Sequence, residues 1–261
     1  MKKILLLTSL LIAELVVDAQ QWIRLNDGIT YTGGKVLSMA IDSANNYLYV
    51  SGSFGEVDHQ ASGNIARWDG NVWNTLGITN GGTAECRSII TSGSIVYMAN
   101  TNGNANVVKY DGIETALGYA NADIEDLCWW NGKLVAVGEF ASIDGVTCNG
   151  IAVYDTTTQQ WSSLGQGVTF GSDVLCCYNW NGNLVIGGIF GQIDGVNCNS
   201  VAMYNGSQWQ PLGSGIGNGQ PGQSGQIYAL TQFQNQLYAG AMDNSSISVR
   251  SLLRFDGTSW N

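Results

Sequence analysis

Of the 261 residues only 11% are charged, while Gly reaches 35 and Pro 2, so order must come from sheets joined by glycine turns and long surface helices are excluded. With 20 acidic against 10 basic residues the net charge is −10, a field that repels phosphate backbones and anionic lipid and removes nucleic acid as a partner. Past the N-terminus no stretch approaches the ~18 uninterrupted apolar residues of a membrane helix, so no membrane span is expected.

In chain order the first element is an export signal. Lys2 and Lys3 form a basic start, Ile4 to Ala13 an apolar core, and Val17-Asp18-Ala19 a small-residue cleavage site, the pattern of a secretory signal peptide over residues 1–19. The remainder, 20–261, reads as one repeat domain bound for the cell surface or the medium. Its six cysteines, Cys86, Cys128, Cys148, Cys176, Cys177 and Cys198, enter a compartment where disulfides persist. Two readings stay open: free thiols packed as small apolar groups, or a bridge from Cys128 to the Cys176-Cys177 pair. No CxxC is present, which removes a zinc knuckle.

Then comes the repeat. Asn131-Gly132-Lys133-Leu134-Val135-Ala136-Val137-Gly138 aligns with Asn181-Gly182-Asn183-Leu184-Val185-Ile186-Gly187-Gly188, and the match runs on without a gap through Ile143-Asp144-Gly145-Val146 and Ile193-Asp194-Gly195-Val196. An earlier copy spans Tyr47 to Trp68; the copy from Val96 to Tyr110 has lost most of its middle loop, and that from Leu237 to Phe255 is shorter. A second signature frames the copies: Trp22-x-x-Leu25, Trp73-x-x-Leu76, Glu114-x-x-Leu117, Trp161-x-x-Leu164, Trp209-x-x-Leu212 and the start of another at Trp260, about 41 to 51 residues apart. Each copy holds four short apolar segments, for instance Val174–Asn179, Leu184–Gly188, Ser200–Tyr204 and Trp209–Leu212. Asn-Gly and Asp-Gly pairs between the segments supply the positive φ of tight hairpins. The predicted fold is all-β: a β-propeller of about five four-stranded antiparallel blades. The strand Trp22–Leu25 is expected to complete the last blade. Because Trp260 opens a further strand, the chain is expected to be part of a longer one.

The copies resemble kelch-like propeller repeats: a glycine pair closes the second strand at Gly187-Gly188, a tyrosine lies on the third strand, as at Tyr154, and a tryptophan opens the fourth, as at Trp161. The phrase Leu-x-x-x-Gly-x-Phe-x-x-Ile-Asp-Gly-Val, from Leu134 and again from Leu184, is similar to repeats of secreted bacterial propellers that often carry a C-terminal sorting domain. The kelch resemblance also raises copper-oxidase chemistry, which needs several histidines; the chain has one, His59. Trp68-Asp69-Gly70 and Phe255-Asp256-Gly257 look superficially like sialidase Asp-boxes, but their Asp and Gly are adjacent, as a hairpin turn requires.

In a propeller the loops between second and third strands share one end with the loops between blades, and that end usually meets the ligand. The loop-face candidates are therefore Tyr31, Asp58, His59, Asp144, Phe170 and Asp194, with no catalytic or metal residue assigned. Aromatics beside carboxylates suit a glycan or protein partner. The repeated Asp58, Asp144 and Asp194 are expected to brace their own loops by Asx-type bonds; calcium is a weaker alternative, having oxygen ligands but no calcium-loop spacing. Phe54, Phe140 and Phe190 are expected to pack between blades. The leading function is a non-enzymatic binding or scaffold module. The alternatives are a polysaccharide hydrolase or lyase drawing a carboxylate pair from Glu56, Asp58, Glu139, Asp144, Asp173 and Asp194, and a structural spacer of a larger surface protein.

Overall fold

A computed structural model describes residues 25–30, 33–78, 85–101, 105–169, 172–217, 225–243 and 249–261. The signal peptide, Trp22 to Arg24 of the expected closing strand, Tyr31 and Phe170 lie outside them. Every regular element among the described residues is a β-strand, and the strands form five antiparallel blades. Blade 1 comprises Lys35–Asp42, Tyr47–Ser53, Ile65–Trp68 and Trp73–Thr75; blade 2 Cys86–Ser92, Ile95–Asn100, Ala105–Tyr110 and Glu114–Ala120. Blade 3 comprises Ile124–Trp130, Lys133–Gly138, Ile151–Asp155 and Gln160–Ser163; blade 4 Asp173–Trp180, Asn183–Ile189, Val201–Tyr204 and Trp209–Pro211. Blade 5 comprises Gln226–Phe233, Gln236–Asp243 and Val249–Phe255, and Trp260 bridges to Phe255 at the fourth position. Strands within a blade are lettered A to D.

The B strands explain why the blades stack. Leu134 to Val137 are all completely buried, and an unbroken apolar run of this kind needs cover on both faces of its sheet. Apolar clusters accordingly fill the spaces between successive blades, one of them joining Tyr97, Ala99 and Val107 of blade 2 to Leu134, Phe140 and Trp161 of blade 3. Phe54, Phe140 and Phe190 are each 1% exposed; Phe140 and Phe190 pack between blades as expected, while Phe54 packs with blade 1 and with Leu25 and Ile29. In blades 1, 3 and 4 strand A carries a bulge opposite Gly52, Gly138 and Gly188. The bulge brings an A-strand carbonyl so close that a Cβ on Gly188 would sit 2.1 Å from the Asp173 oxygen, which accounts for the glycine closing strand B.

Three repeated bonds tie blade to blade. The Trp-x-x-Leu signature is one of them: Trp73, Trp161, Trp209 and Trp260 each donate their indole N–H, at 2.8 to 3.2 Å, to the carbonyl of Leu25, Leu117, Leu164 and Leu212, the leucine of the preceding signature. Strand A supplies the second, a side-chain acceptor for the next A strand: Ile89 N–H to Ser38 Oγ at 3.2 Å, Leu127 N–H to Ser88 Oγ at 3.1 Å and Cys177 N–H to Asp126 Oδ2 at 3.0 Å. The third comes from the aspartate hairpins described below.

One expectation changes in detail, and one of the two open cysteine readings, free thiols, holds. Beside Phe255 the fourth-strand position of blade 5 is held by Trp260 and Asn261, the latter paired both ways with the Arg254 backbone, while Leu25 packs on blade 1. All six cysteines are free, five of them buried and Cys128 half-buried. The end blades leave apolar groups in solvent: Leu37, Met39 and Ile41 in blade 1, Tyr228 and Leu252 in blade 5.

Candidate functional site

Asp58, Asp144 and Asp194 sit at the tips of three short hairpins between strands B and C, with φ of 45°, 45° and 49°. A carboxylate in this left-handed conformation is well placed to reach back across the blade boundary. Asp58 Oδ1 accepts from Gly28 N–H at 2.8 Å, Asp144 Oδ1 from Tyr119 N–H at 2.9 Å, and Asp194 Oδ1 from Gln166 and Gly167 N–H at 2.5 and 3.1 Å. Backbone pairing reinforces the grip, as in the Ala120↔Ile143 and Val168↔Ile193 bridges. These aspartates therefore brace the chain segment before their own blade, a longer reach than the local Asx role expected of them. They stand in three separate blades, and among the described residues no group of three or more His, Cys, Asp or Glu is arranged to hold a metal. His59 is exposed, its Nε2 3.5 Å from Asp27 Oδ2, and its backbone N–H reaches Thr30 Oγ1 at 3.2 Å.

A second group of residues gathers at the same end, where the A strands begin. Arg87 binds the Glu125 carboxylate and lies 3.6 Å from Glu85 and 3.8 Å from Asp123. Glu139 and Asp173 line an adjoining pocket of about 200 Å³ between blades 3 and 4, with Asn149, Thr169 and Ser172. Burial pushes the Glu139 carboxyl upward, and the carboxylates of Asp173, Glu125 and Asp123 push it the same way. This mouth thus concentrates negative charge around one guanidinium. Glu139 and Asp173 were legible in the sequence as members of a carboxylate set; Glu85, Asp123, Glu125 and Arg87 were not, since only packing of neighbouring A strands brings them together.

Beneath the mouth lies Asp126, half-buried. It accepts from Ser88 Oγ at 2.8 Å, Cys177 N–H at 3.0 Å and its neighbour Leu127 N–H at 2.8 Å, so one carboxylate joins blades 2, 3 and 4. Burial outweighs these bonds and pushes it up to about 6. An acid immediately before the apolar run Leu127-Cys128-Trp129-Trp130 of the same strand was the available signal. The buried thiols offer no ready nucleophile: burial pushes Cys86 up to about 12 and Cys148 and Cys198 to about 11.

No protein-family model and no curated protein sequence matches the chain. Solved structures do. The extracellular domain of a hybrid two-component system from B. thetaiotaomicron superposes with a TM-score of 0.57 at 13% identity over 90% of this chain. This chain spans 29% of the length of that one. YCF48 bound to D1 peptide matches with a TM-score of 0.55 at 13% identity, over 94% of this chain and 72% of the other. A chain of the mitotic checkpoint complex matches with a TM-score of 0.50 at 16% identity, over 89% and 73%. Among the described residues no helix is long and apolar enough to cross a membrane. At these identities the likeness is one of fold, and the fold this chain shares with them is the β-propeller.

Proposed function

We propose that this protein is a non-enzymatic binding or scaffold propeller that acts outside the cell and takes a protein partner through a basic segment at its acidic mouth. The observation that carries the reading is the gathering of Glu85, Asp123 and Glu125 on Arg87, beside Glu139 and Asp173 of the adjoining pocket. Carboxylates held together in a partly enclosed mouth focus a negative potential that draws in and orients cationic groups. The secretion-like N-terminus, the kelch-like repeat pattern and the likeness to an extracellular domain support the setting, and YCF48 with its D1 peptide shows that a propeller of similar fold has been solved with a peptide.

The test is titration of the immobilised protein with an Arg- and Lys-rich peptide and with a neutral glucan. Peptide binding that weakens with salt and with the Glu139→Gln, Asp173→Asn double variant supports the reading; salt-independent glucan binding with no peptide response overturns it. A second reading has one observation in its favour, the upward-shifted Glu139 beside Asp173, the arrangement a glycosidase uses for its acid and its partner carboxylate. Release of reducing ends from a polysaccharide, lost in Glu139→Gln, would establish that hydrolase in place of the scaffold.

A further inference from the structure

At the end of the molecule formed by the A–B and C–D turns, the interfaces of blade 3 with blade 4 and of blade 4 with blade 5 repeat a ring contact. Trp130, the last residue of strand A in blade 3, stands edge-on to Tyr204 of blade 4 with centroids 5.6 Å apart at 77°, and donates its indole N–H to the Gly182 carbonyl at 2.9 Å. Trp180, the same position one blade on, meets Phe255 of blade 5 at 6.0 Å and 80°. The register makes these positions equivalent: Trp130 pairs with Lys133 and Trp180 with Asn183, just as Ser92 of blade 2 pairs with Ile95. The third-strand rings correspond likewise, Tyr154 pairing with Leu134 as Tyr204 pairs with Leu184. Between blades 2 and 3 a serine thus replaces the tryptophan.

Where the indole is left out, a cleft of about 830 Å³ opens. Ser92 and Tyr154 line it, together with Gly132, which corresponds to the Gly182 that accepts from Trp130. Tyr97 and Trp129, edge-on at 5.1 Å and 89°, form an aromatic wall. The nearby Lys109 is held by Asp111 at 2.6 Å, which offsets its charge.

We propose that this cleft binds an aromatic side chain of a protein partner, an indole above all, in the place that Ser92 leaves open between blades 2 and 3. The protein itself supplies the precedent for the occupant: in the next two interfaces this position takes an indole edge-on to the ring of the following blade. An edge-to-face contact of that kind adds to simple burial, and aromatic anchors in pockets dominate protein interfaces. The cleft exceeds the volume of one ring, leaving room for the flanking backbone of an extended segment. The inference is independent of the acidic mouth, which lies at the opposite ends of the strands.

The experiment uses N-acetyltryptophanamide as probe and saturation-transfer NMR on the whole protein, with methyl glucopyranoside as the comparison. The expected result is transfer to the indole protons, lost in Ser92→Trp, where the protein's own indole fills the cleft, and accompanied there by a higher melting temperature. Thr156→Trp, at an exposed turn residue on the cleft rim, also removes the signal and covers the case in which Ser92→Trp fails to fold. The Glu139→Gln, Asp173→Asn variant keeps it, so loss of the mouth reading and loss of this one are separable. Absence of transfer in the wild type, transfer that survives in folded variants of both cleft positions, or transfer to the sugar alone would overturn the proposal.

Discussion

Asp194 is the position where conformation and bonding can be separated by substitution. Its φ of 49° suits Asp, Asn and Gly, and costs other residues about 1–2 kcal/mol. Its carboxylate accepts two backbone N–H groups, from Gln166 and Gly167, and lies directly over Gly165, where an added Cβ would come within 2.0 Å of Oδ2. Each bond contributes about 1 kcal/mol net, and less where solvent reaches it, so the clasp as a whole is worth about 1–2 kcal/mol. Asp194→Asn keeps an acceptor and the backbone conformation, and should cost under about 1 kcal/mol. Asp194→Gly keeps only the conformation and should cost about 1–2 kcal/mol; Asp194→Ala loses both and should cost about 2–4 kcal/mol. The urea midpoint at unchanged slope gives the ranking, and amide exchange at Gln166 and Gly167 reports the local loss even if the blades do not unfold together. A Gly variant with the wild-type midpoint and wild-type protection at both amides would refute the clasp, and equal values for Gly and Ala would refute the backbone contribution. Because these aspartates brace the blades, lost binding after their replacement would not identify a ligand site; Glu139 and Asp173 are the cleaner positions for that question.

Two further outcomes follow from packing and charge. Gly188→Ala sets a Cβ against backbone, 2.1 Å from the Asp173 oxygen and 2.9 Å from the Val174 Cα, and should destabilise by about 3 kcal/mol, measured as a lowered urea midpoint; a neutral result would show that the bulge can relax. For Asp126, the folded carboxyl at about 6 lies above its unfolded value near 3.9. The folded state therefore holds the extra proton between about pH 4 and 6, so this group's contribution is most favourable below pH 4 and is lost as pH rises through 6, by about 3 kcal/mol in all. The difference between wild type and Asp126→Asn, followed by urea unfolding from pH 4 to 7, isolates it from carboxylates shifted the other way, such as Asp155, drawn down to about 2 by Lys133 and the Thr157 and Thr158 amides; a difference that does not change with pH would refute the burial argument.

What the sequence by itself determined is the local design. Apolar runs such as Leu134–Val137 need cover on two faces, Asn131-Gly132 and Asn181-Gly182 turn with φ of 50° and 74°, 52° and 83°, and recurrence at about 50 residues stacks like units side by side. Strand positions and the burial of Phe54, Phe140 and Phe190 follow from those patterns, because period and turn chemistry act between residues close in the chain. The Trp-x-x-Leu signature was visible as a mark, but its meaning was not: the indole bonds the leucine of the previous copy, about 45 residues away. The same holds for Asp144 and Asp194, whose reach crosses a blade boundary, and for Arg87, whose carboxylate partners come from two blades. Even the cleft at Ser92 is a missing side chain, and an omission acquires a shape only when the blades on either side are in place. Contacts between repeats depend on how the sheets stack, and that arrangement of distant backbone was decided by the tertiary structure alone.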